Sequence, residues 1–362
     1  MMRAMVVAEP GEPEVLTLTE LPMPELRPND VRIKVEACGV CFHDVVTRNG
    51  VLKRGIKMPV IPGHEISGIV ESVGPQVRGF KPGDRVATVQ RRHICGHCNY
   101  CRSGRETSCE EREFLGDWGL NGGYAEYVCV EEDNIAHVPD SIPLDEASVI
   151  ACVIGTELNA IRDVAHVQPG DRVLITGAGG GLGIHGVQVA RASGGFVIGL
   201  TTSEEKAEKI REAGAHEVVL TKRGEDFSGA VKALTDGDGV DVAIDNVGSP
   251  LFHPTRRSLA MGGRWIFVGQ LTGEFVQLNP AQLFMRDISI RSVKSTSLKQ
   301  LQDCLQLVRL GQVRPIITEK LPLEEAAAAH RAVEQGHSMG RILLKPGLNR
   351  IRPMECPCST AR

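Results

Sequence analysis

A short apolar run, Arg172-Val173-Leu174-Ile175-Thr176, empties into Gly177-Ala178-Gly179-Gly180-Gly181-Leu182-Gly183, and a helical stretch from about Ile184 to Ala192 follows. A strand that ends in small residues and opens a helix lets backbone N–H groups approach a pyrophosphate, with the positive end of the helix behind them. A strict G-x-G-x-x-G from Gly177 fails at Leu182, whereas Ala178-x-Gly180-x-x-Gly183 fits. An ordinary glycine turn would look similar in isolation, so the flanking pattern decides. Phe196–Leu200, Val218–Leu220, Val242–Ile244 and Trp265–Val268 read as further buried strands, separated by helical stretches such as 204–213. That alternation predicts a doubly wound parallel sheet, hence an α/β fold.

The chain before residue 150 reads differently. Val31–Ala37 alternates apolar and polar residues, as does Ile66–Val73, and Lys81-Pro82-Gly83-Asp84 is a turn feeding another strand. These short strands predict a compact β domain. Past residue 294 the pattern changes again, with an amphipathic helix at 298–310 and strands at 315–317 and 341–344. We therefore expect three segments: 1–153 with a cysteine lobe at about 91–115, a nucleotide-binding domain at 154–293, and a return to the first domain at 294–362 with a loose tail. With net charge −4 and 4% aromatic residues, the chain is not expected to bind nucleic acid. It shows no apolar run of spanning length and no signal-peptide core, so a cytoplasmic protein without membrane partners is expected.

Eleven cysteines occur, and four of them fall at Cys95-x-x-Cys98-x-x-Cys101-x7-Cys109. Four thiolates at this spacing fit a tetrahedral structural zinc with no position left for substrate. His93 and His97 are read as exposed loop residues beside it. Cys41, His64 and Cys152 lie far apart in sequence. A Cys/His/Cys set with a free fourth position is a catalytic zinc type, but single buried residues of these types are as readily core.

The motifs Gly39-Val40-Cys41, Gly63-His64-Glu65, Gly79–Val86, the four-cysteine lobe, Gly122–Tyr127 and the glycine loop together resemble the zinc-containing medium-chain dehydrogenase/reductases, the alcohol dehydrogenase superfamily, over residues 3–347. The resemblance implies a GroES-like β domain split in sequence around a Rossmann domain. It also implies two zinc ions per chain, with Cys41, His64 and Cys152 as catalytic ligands and Glu65 as an exchangeable ligand or nearby charge. Asp44 would orient His64, and Thr156 would meet the nicotinamide, although the Cys152 segment carries one extra residue before Gly155-Thr156. Homodimers or homotetramers acting on small molecules are implied.

At the end of the second Rossmann strand, NAD readers usually carry an acidic residue. Here Thr201 stands there, followed by Thr202, Ser203 and Lys206, which suit a 2′-phosphate; NADP(H) is expected over NAD(H). Ser203 would equally cap the next helix. Asn246, Val268 and Gly269 sit at strand ends and are expected at the cofactor, along with Gly177, Ala178, Gly180, Gly181, Leu182 and Gly183. The family's hydroxyl relay is missing, since His43 takes the hydroxyl position and Val46 the relay position. His43 either serves as acid/base itself or packs beside the metal. The expected reaction is zinc-dependent hydride transfer between NADP(H) and an alcohol/carbonyl pair. Thr201–Lys206, Cys152–Gly155 and Met261–Arg264 also resemble acryloyl-CoA reductases of the same superfamily, which implies an alternative, reduction of an activated alkene. A non-catalytic binding protein is the remaining reading.

Overall fold

The computed structural model describes residues 1–51, 55–336 and 338–348. The tail bearing Cys356 and Cys358 lies outside the described residues. Strands β1 (Met2–Val7) and β2 (Leu16–Leu21) form an antiparallel pair, followed by β3 (Asp30–Val40), β4 (Glu65–Val73) and β5 (Arg85–Thr88). The short β6 (Arg91–His93) and β7 (Glu113–Phe114) pair at the base of the cysteine lobe, and β8 (Tyr127–Glu131) and β9 (Ile135–His137) return to the main sheet. In β3, Ile33 and Val35 are buried between half-exposed or exposed Arg32, Lys34 and Glu36, the alternation expected of a sheet with one face on the core.

A second sheet is built from β10 (Arg172–Ile175), β11 (Phe196–Thr201), β12 (Glu217–Leu220), β13 (Val240–Asp245), β14 (Leu259–Phe267) and β15 (Ser289–Ser292). All its pairings are parallel, in the order β12-β11-β10-β13-β14-β15. That is the doubly wound arrangement, and its order reverses between β10 and β13, where a ligand crevice forms at the carboxyl ends of the strands. The glycine loop follows β10 at that point.

The chain then returns. Strands β16 (Ile317–Pro322) and β17 (Arg341–Lys345) join the first sheet, β17 lying antiparallel to β3, so this sheet reads β16-β17-β3-β4-β5-β9 with β8 also paired to β3. The GroES-like part thus draws strands from both sides of the Rossmann-like part. Two small differences from the sequence reading stand out. The strand expected at 315–317 begins at Ile317, and His93 lies half-buried on β6 with Nδ1 2.6 Å from Glu131, not on an exposed loop.

Candidate active site and cysteine lobe

The lobe assembles from local geometry. Cys95 Sγ lies 4.0 Å from Cys101 Sγ and 3.6 Å from Cys109 Sγ. Tetrahedral Zn–S bonds of about 2.3 Å place sulfurs roughly 3.8 Å apart, so these spacings fit a metal. The backbone N–H groups of Cys95, Cys98 and Cys101 donate to the thiols of Cys109, Cys95 and Cys98 at 3.4–3.5 Å. The Cys101 N–H above all pulls the Cys98 pKa down to about 7. A buried guanidinium fastens the lobe: Arg92 bridges Asp30 on β3 at 3.0 Å and Glu113 on β7 at 2.7 Å. His97 is exposed, with Nδ1 on the Cys95 carbonyl at 2.8 Å.

The second cluster is brought together by the fold. Cys41 follows β3 as the N-cap of the helix Phe42–Arg48, His64 and Glu65 stand at the start of β4, and Cys152 comes from the helical segment after Leu144–Val149. One ligand atom from each lies within 4.8 Å of the others, and all four residues are buried. The extra residue before Gly155-Thr156 is absorbed as a π-helical turn over Ile150–Ile154, which still presents Cys152 to the cluster. Thr156 then lines the same cavity as Cys41, His64 and Cys152.

Asp44 organises this cluster. Its carboxylate accepts from the Cys41 N–H at 2.9 Å, closing the first turn of the helix Phe42–Arg48, and meets His64 Nδ1 at 3.1 Å. Burial opposes its charge, but the His64 ring outweighs this and holds its pKa below the ordinary value. Burial likewise opposes charge on His64, yet Asp44 and Cys41 win and raise its pKa well above the usual range. With Nδ1 held by Asp44, Nε2 is the nitrogen left for a metal. Tyr124 Oη donates to Asp44 at 3.3 Å and meets His330 Nε2 at 3.1 Å. The hydrogen bond between the two thiols pulls the Cys41 pKa down and pushes that of Cys152 up.

Arg341, read from sequence only as the start of a strand, proves central. Its guanidinium takes both oxygens of Glu65 at 2.9–3.1 Å and lies 3.3 Å from Cys41 Sγ and 3.7 Å from Cys152 Sγ. It also presses on the glycine loop, where a Cβ at Gly181 would collide with Nη1. Burial opposes its charge, but Glu65 and the two thiols raise its pKa. An arginine heading the apolar strand run Ile342-Leu343-Leu344 is the sequence signal that could have found it.

His43 lies half-buried at the cavity, with Nε2 3.2 Å from Asp117 Oδ2; Thr47 Oγ1 donates to Oδ1 of the same carboxylate at 3.0 Å. Asp117 was not singled out in the sequence. Trp118 beside it packs under Lys57 Nζ, 3.3 Å from its ring centre.

On the cofactor side, Gly177 has φ +61°, and a Cβ at Gly183 would strike the Gly177 carbonyl, so both positions require glycine. Ala178 is buried, while Gly180 and Leu182 complete the loop. Asn246 Nδ2 donates to the Thr176 carbonyl at 3.3 Å, and its buried amide also acts on the Glu157 carboxyl. Leu182 and Val268 line the metal-side cavity; Val268 and Gly269 also line a second one of about 500 Å³. Thr201 accepts from the Ser203 N–H at 3.2 Å, and Ser203 makes no capping bond. Lys206 Nζ donates to the carbonyls of Gly336 and Ser338.

A parallel-sheet crevice behind a glycine loop and a cysteine/histidine cluster on a GroES-like sheet are the features of a zinc-binding dehydrogenase. Comparison with known proteins agrees: the alcohol dehydrogenase GroES-like domain matches residues 27–140 and the zinc-binding dehydrogenase family residues 213–344. The chain belongs to the alcohol dehydrogenase-like zinc-binding dehydrogenases and is an oxidoreductase. It is similar to the acryloyl-coenzyme A reductase of Sulfurisphaera tokodaii, at 34% identity over 95% of this chain and 100% of that one. It is 35% identical to the NAD-dependent alcohol dehydrogenase of Saccharolobus solfataricus, over the same shares. Among solved structures, AibC superposes with a TM-score of 0.89 at 42% identity, covering 95% of each chain.

Proposed function

We propose that this protein transfers a hydride between NADP(H) and an alcohol/carbonyl pair, using zinc held by Cys41, His64 and Cys152. The observation carrying this reading is one cavity of about 320 Å³ lined by those three side chains together with Thr156, Leu182, Val268 and Val293. Bound zinc would polarise a substrate oxygen there, and the nicotinamide would supply the hydride. Asp44 holds the His64 ring in its ligating orientation. Glu65, clamped by Arg341, tunes the charge at the metal. His43, steadied by Asp117, exchanges the proton that the missing hydroxyl relay would otherwise carry. The lobe thiolates Cys95, Cys98, Cys101 and Cys109 hold a second, structural zinc.

The preference for NADP(H) rests on the β11 end, where Thr201, Thr202 and Ser203 put hydroxyls, not a carboxylate, beside the adenosine ribose. Lys206 adds charge there, although two carbonyls share its ammonium. We assign 1–153 and 294–362 to the catalytic part and 154–293 to the cofactor part of a cytoplasmic homodimer or homotetramer.

A second reading, reduction of an activated alkene in a CoA thioester, is favoured by the imidazole of His43 where alcohol dehydrogenases carry a hydroxyl, and by the acryloyl-CoA reductase relative. The deciding assay follows NADPH consumption on aldehydes, ketones and enoyl thioesters, before and after zinc removal. Zinc-dependent aldehyde reduction supports the first reading; turnover of enoyl thioesters alone supports the second. Fluorescence titration should show NADPH binding about tenfold more tightly than NADH, a difference of roughly 1.4 kcal/mol; equal affinities would contradict the cofactor assignment.

A further inference from the structure

The cavity that holds the metal donors has a cationic wall. Arg91, Arg112 and Lys294 all line it, and no Asp or Glu does. The thiols of Cys41 and Cys152 do not balance these charges, because two thiolates are neutralised by one Zn²⁺. Arg91 is buried, with its side chain 1% exposed. Its Nη1 donates to Ser295 Oγ and the Thr296 carbonyl, both at 2.9 Å, while Nε and Nη2 have no hydrogen-bond partner. The carboxylate facing it, Glu106, stands 4.0 Å from Nη2 and already accepts from the Leu298 N–H. Arg112 donates through Nη1 to the Cys109 carbonyl at 2.6 Å. Among the described residues, no carboxylate pairs with Arg112 or Lys294.

These cations come from separate parts of the chain, β6, the end of the cysteine lobe and the segment after β15. The fold therefore converges like charges on one cavity. Burial is the main cause of the lowered Arg91 and Lys294 pKa values, and the field of Arg112 lowers both further. Such a cluster is unfavourable while the cavity holds only water and becomes favourable when an anion enters. The hydroxyl of Thr107 on the same lining adds a donor for oxyanion oxygens, whereas that of Ser295 is already given to Gln90 Oε1 at 2.8 Å.

We propose that the substrate carries an anionic group, carboxylate or phosphate, which Arg112 and Lys294 receive with Arg91 behind them, while the reacting carbon lies at the metal donors. This rests on the hydride-transfer reading above. A cavity of about 320 Å³ takes a short acyl chain. A free acid would therefore place its carboxylate at half-buried Arg112, and a CoA thioester would keep its phosphates outside, near exposed Lys294.

The test uses the zinc-loaded enzyme, the variants Arg112→Gln and Lys294→Gln, and the double variant. Three probes are compared with NADPH: butyraldehyde, succinic semialdehyde and crotonyl-CoA. In the wild type, KM for an anionic probe should be at least about tenfold below that for butyraldehyde. In the double variant this ratio should fall to near one, and 0.5 M salt should shrink it in the wild type. A larger effect of Arg112→Gln on succinic semialdehyde identifies a carboxylate; a larger effect of Lys294→Gln on crotonyl-CoA identifies a phosphate. A wild-type ratio near one, or a ratio that survives the double variant, overturns the proposal. If no probe is turned over, the hydride-transfer reading fails, and calorimetry still decides the anion site. Succinate or CoA must then bind the wild type at least about tenfold more tightly than butyramide and lose that advantage in the double variant. Equal binding of all three overturns the site.

Discussion

The two cysteine-bearing clusters differ in how they are made. The lobe is local: four thiols within fifteen residues, joined by N–H···S bonds between near neighbours and fastened by Arg92. The Cys41, His64, Glu65 and Cys152 cluster is global: its donors meet only because β3, β4, the π-helical turn and β17 fold onto one another. A local site contributes its own ordering, whereas a global site uses order built elsewhere. The first should therefore respond to metal loss by loosening, and the second by losing chemistry.

The largest expected effect is at the global site. Cys41→Ala should lower kcat for carbonyl reduction by at least about a thousandfold, consistent with loss of a Lewis acid worth several kcal/mol. Circular dichroism and thermal unfolding should change little. A variant that keeps full activity would remove zinc from the mechanism, and one that fails to fold would erase the contrast.

Cys101→Ser, or chelation of the lobe metal, should act in the opposite sense. Because ligation and local folding are coupled, the lobe should open and become protease-sensitive between residues 95 and 112, with the two large sheets intact. Limited proteolysis with mass spectrometry reads this directly. Unchanged protection would mean that Arg92 and its carboxylates hold the lobe without metal.

Asp44→Asn sharpens the comparison from inside the catalytic set. The amide keeps the shape but loses the charge that raises His64, and a supporting carboxylate of this kind is worth about 10–100-fold in metal affinity. Competition with a chelator should show that loss at one of the two metals only.

The last effect lies outside both clusters and bears on stability, not on chemistry. Glu157 is fully buried beneath Gly186, and burial raises its pKa to about 8 against the opposing pull of the Asn246 amide. Its folded pKa lies above its unfolded value, so the wild type loses stability as pH rises from about 4.5 to about 8. Glu157→Gln should therefore match the wild type near pH 4.5 and gain on it with rising pH. The gain should level off above pH 8 at a few kcal/mol, on the order of 1.4 kcal/mol per pH unit crossed. Denaturant titrations at pH 5 and pH 8.5 give the two ends; an equal difference at both would mean that Glu157 is ionised in the fold.

What the sequence revealed follows the same division. The lobe and the glycine loop were legible because spacing within about fifteen residues determines which atoms meet. The interrupted β domain was legible from the change in strand pattern and from family motifs. Cys41, His64 and Cys152 became a set only through the resemblance, since no periodicity joins three residues scattered over more than a hundred positions. Arg341 and Asp117 stayed hidden for a related reason. An arginine at the head of a strand and an aspartate in a Gly116-Asp117-Trp118-Gly119 turn look structural until the fold sets one against Glu65 and the other against His43. The same holds for Arg91, Arg112 and Lys294, whose shared cavity spans more than two hundred residues of sequence.

X-ray absorption at the zinc edge of the purified wild-type chain tests the central claim most directly. About two zinc ions per chain, with an average of about three sulfurs per zinc and the remainder light nitrogen or oxygen ligands, is the predicted result. About one zinc per chain bound by four sulfurs would mean that Cys41, His64 and Cys152 hold no metal, and would contradict the account.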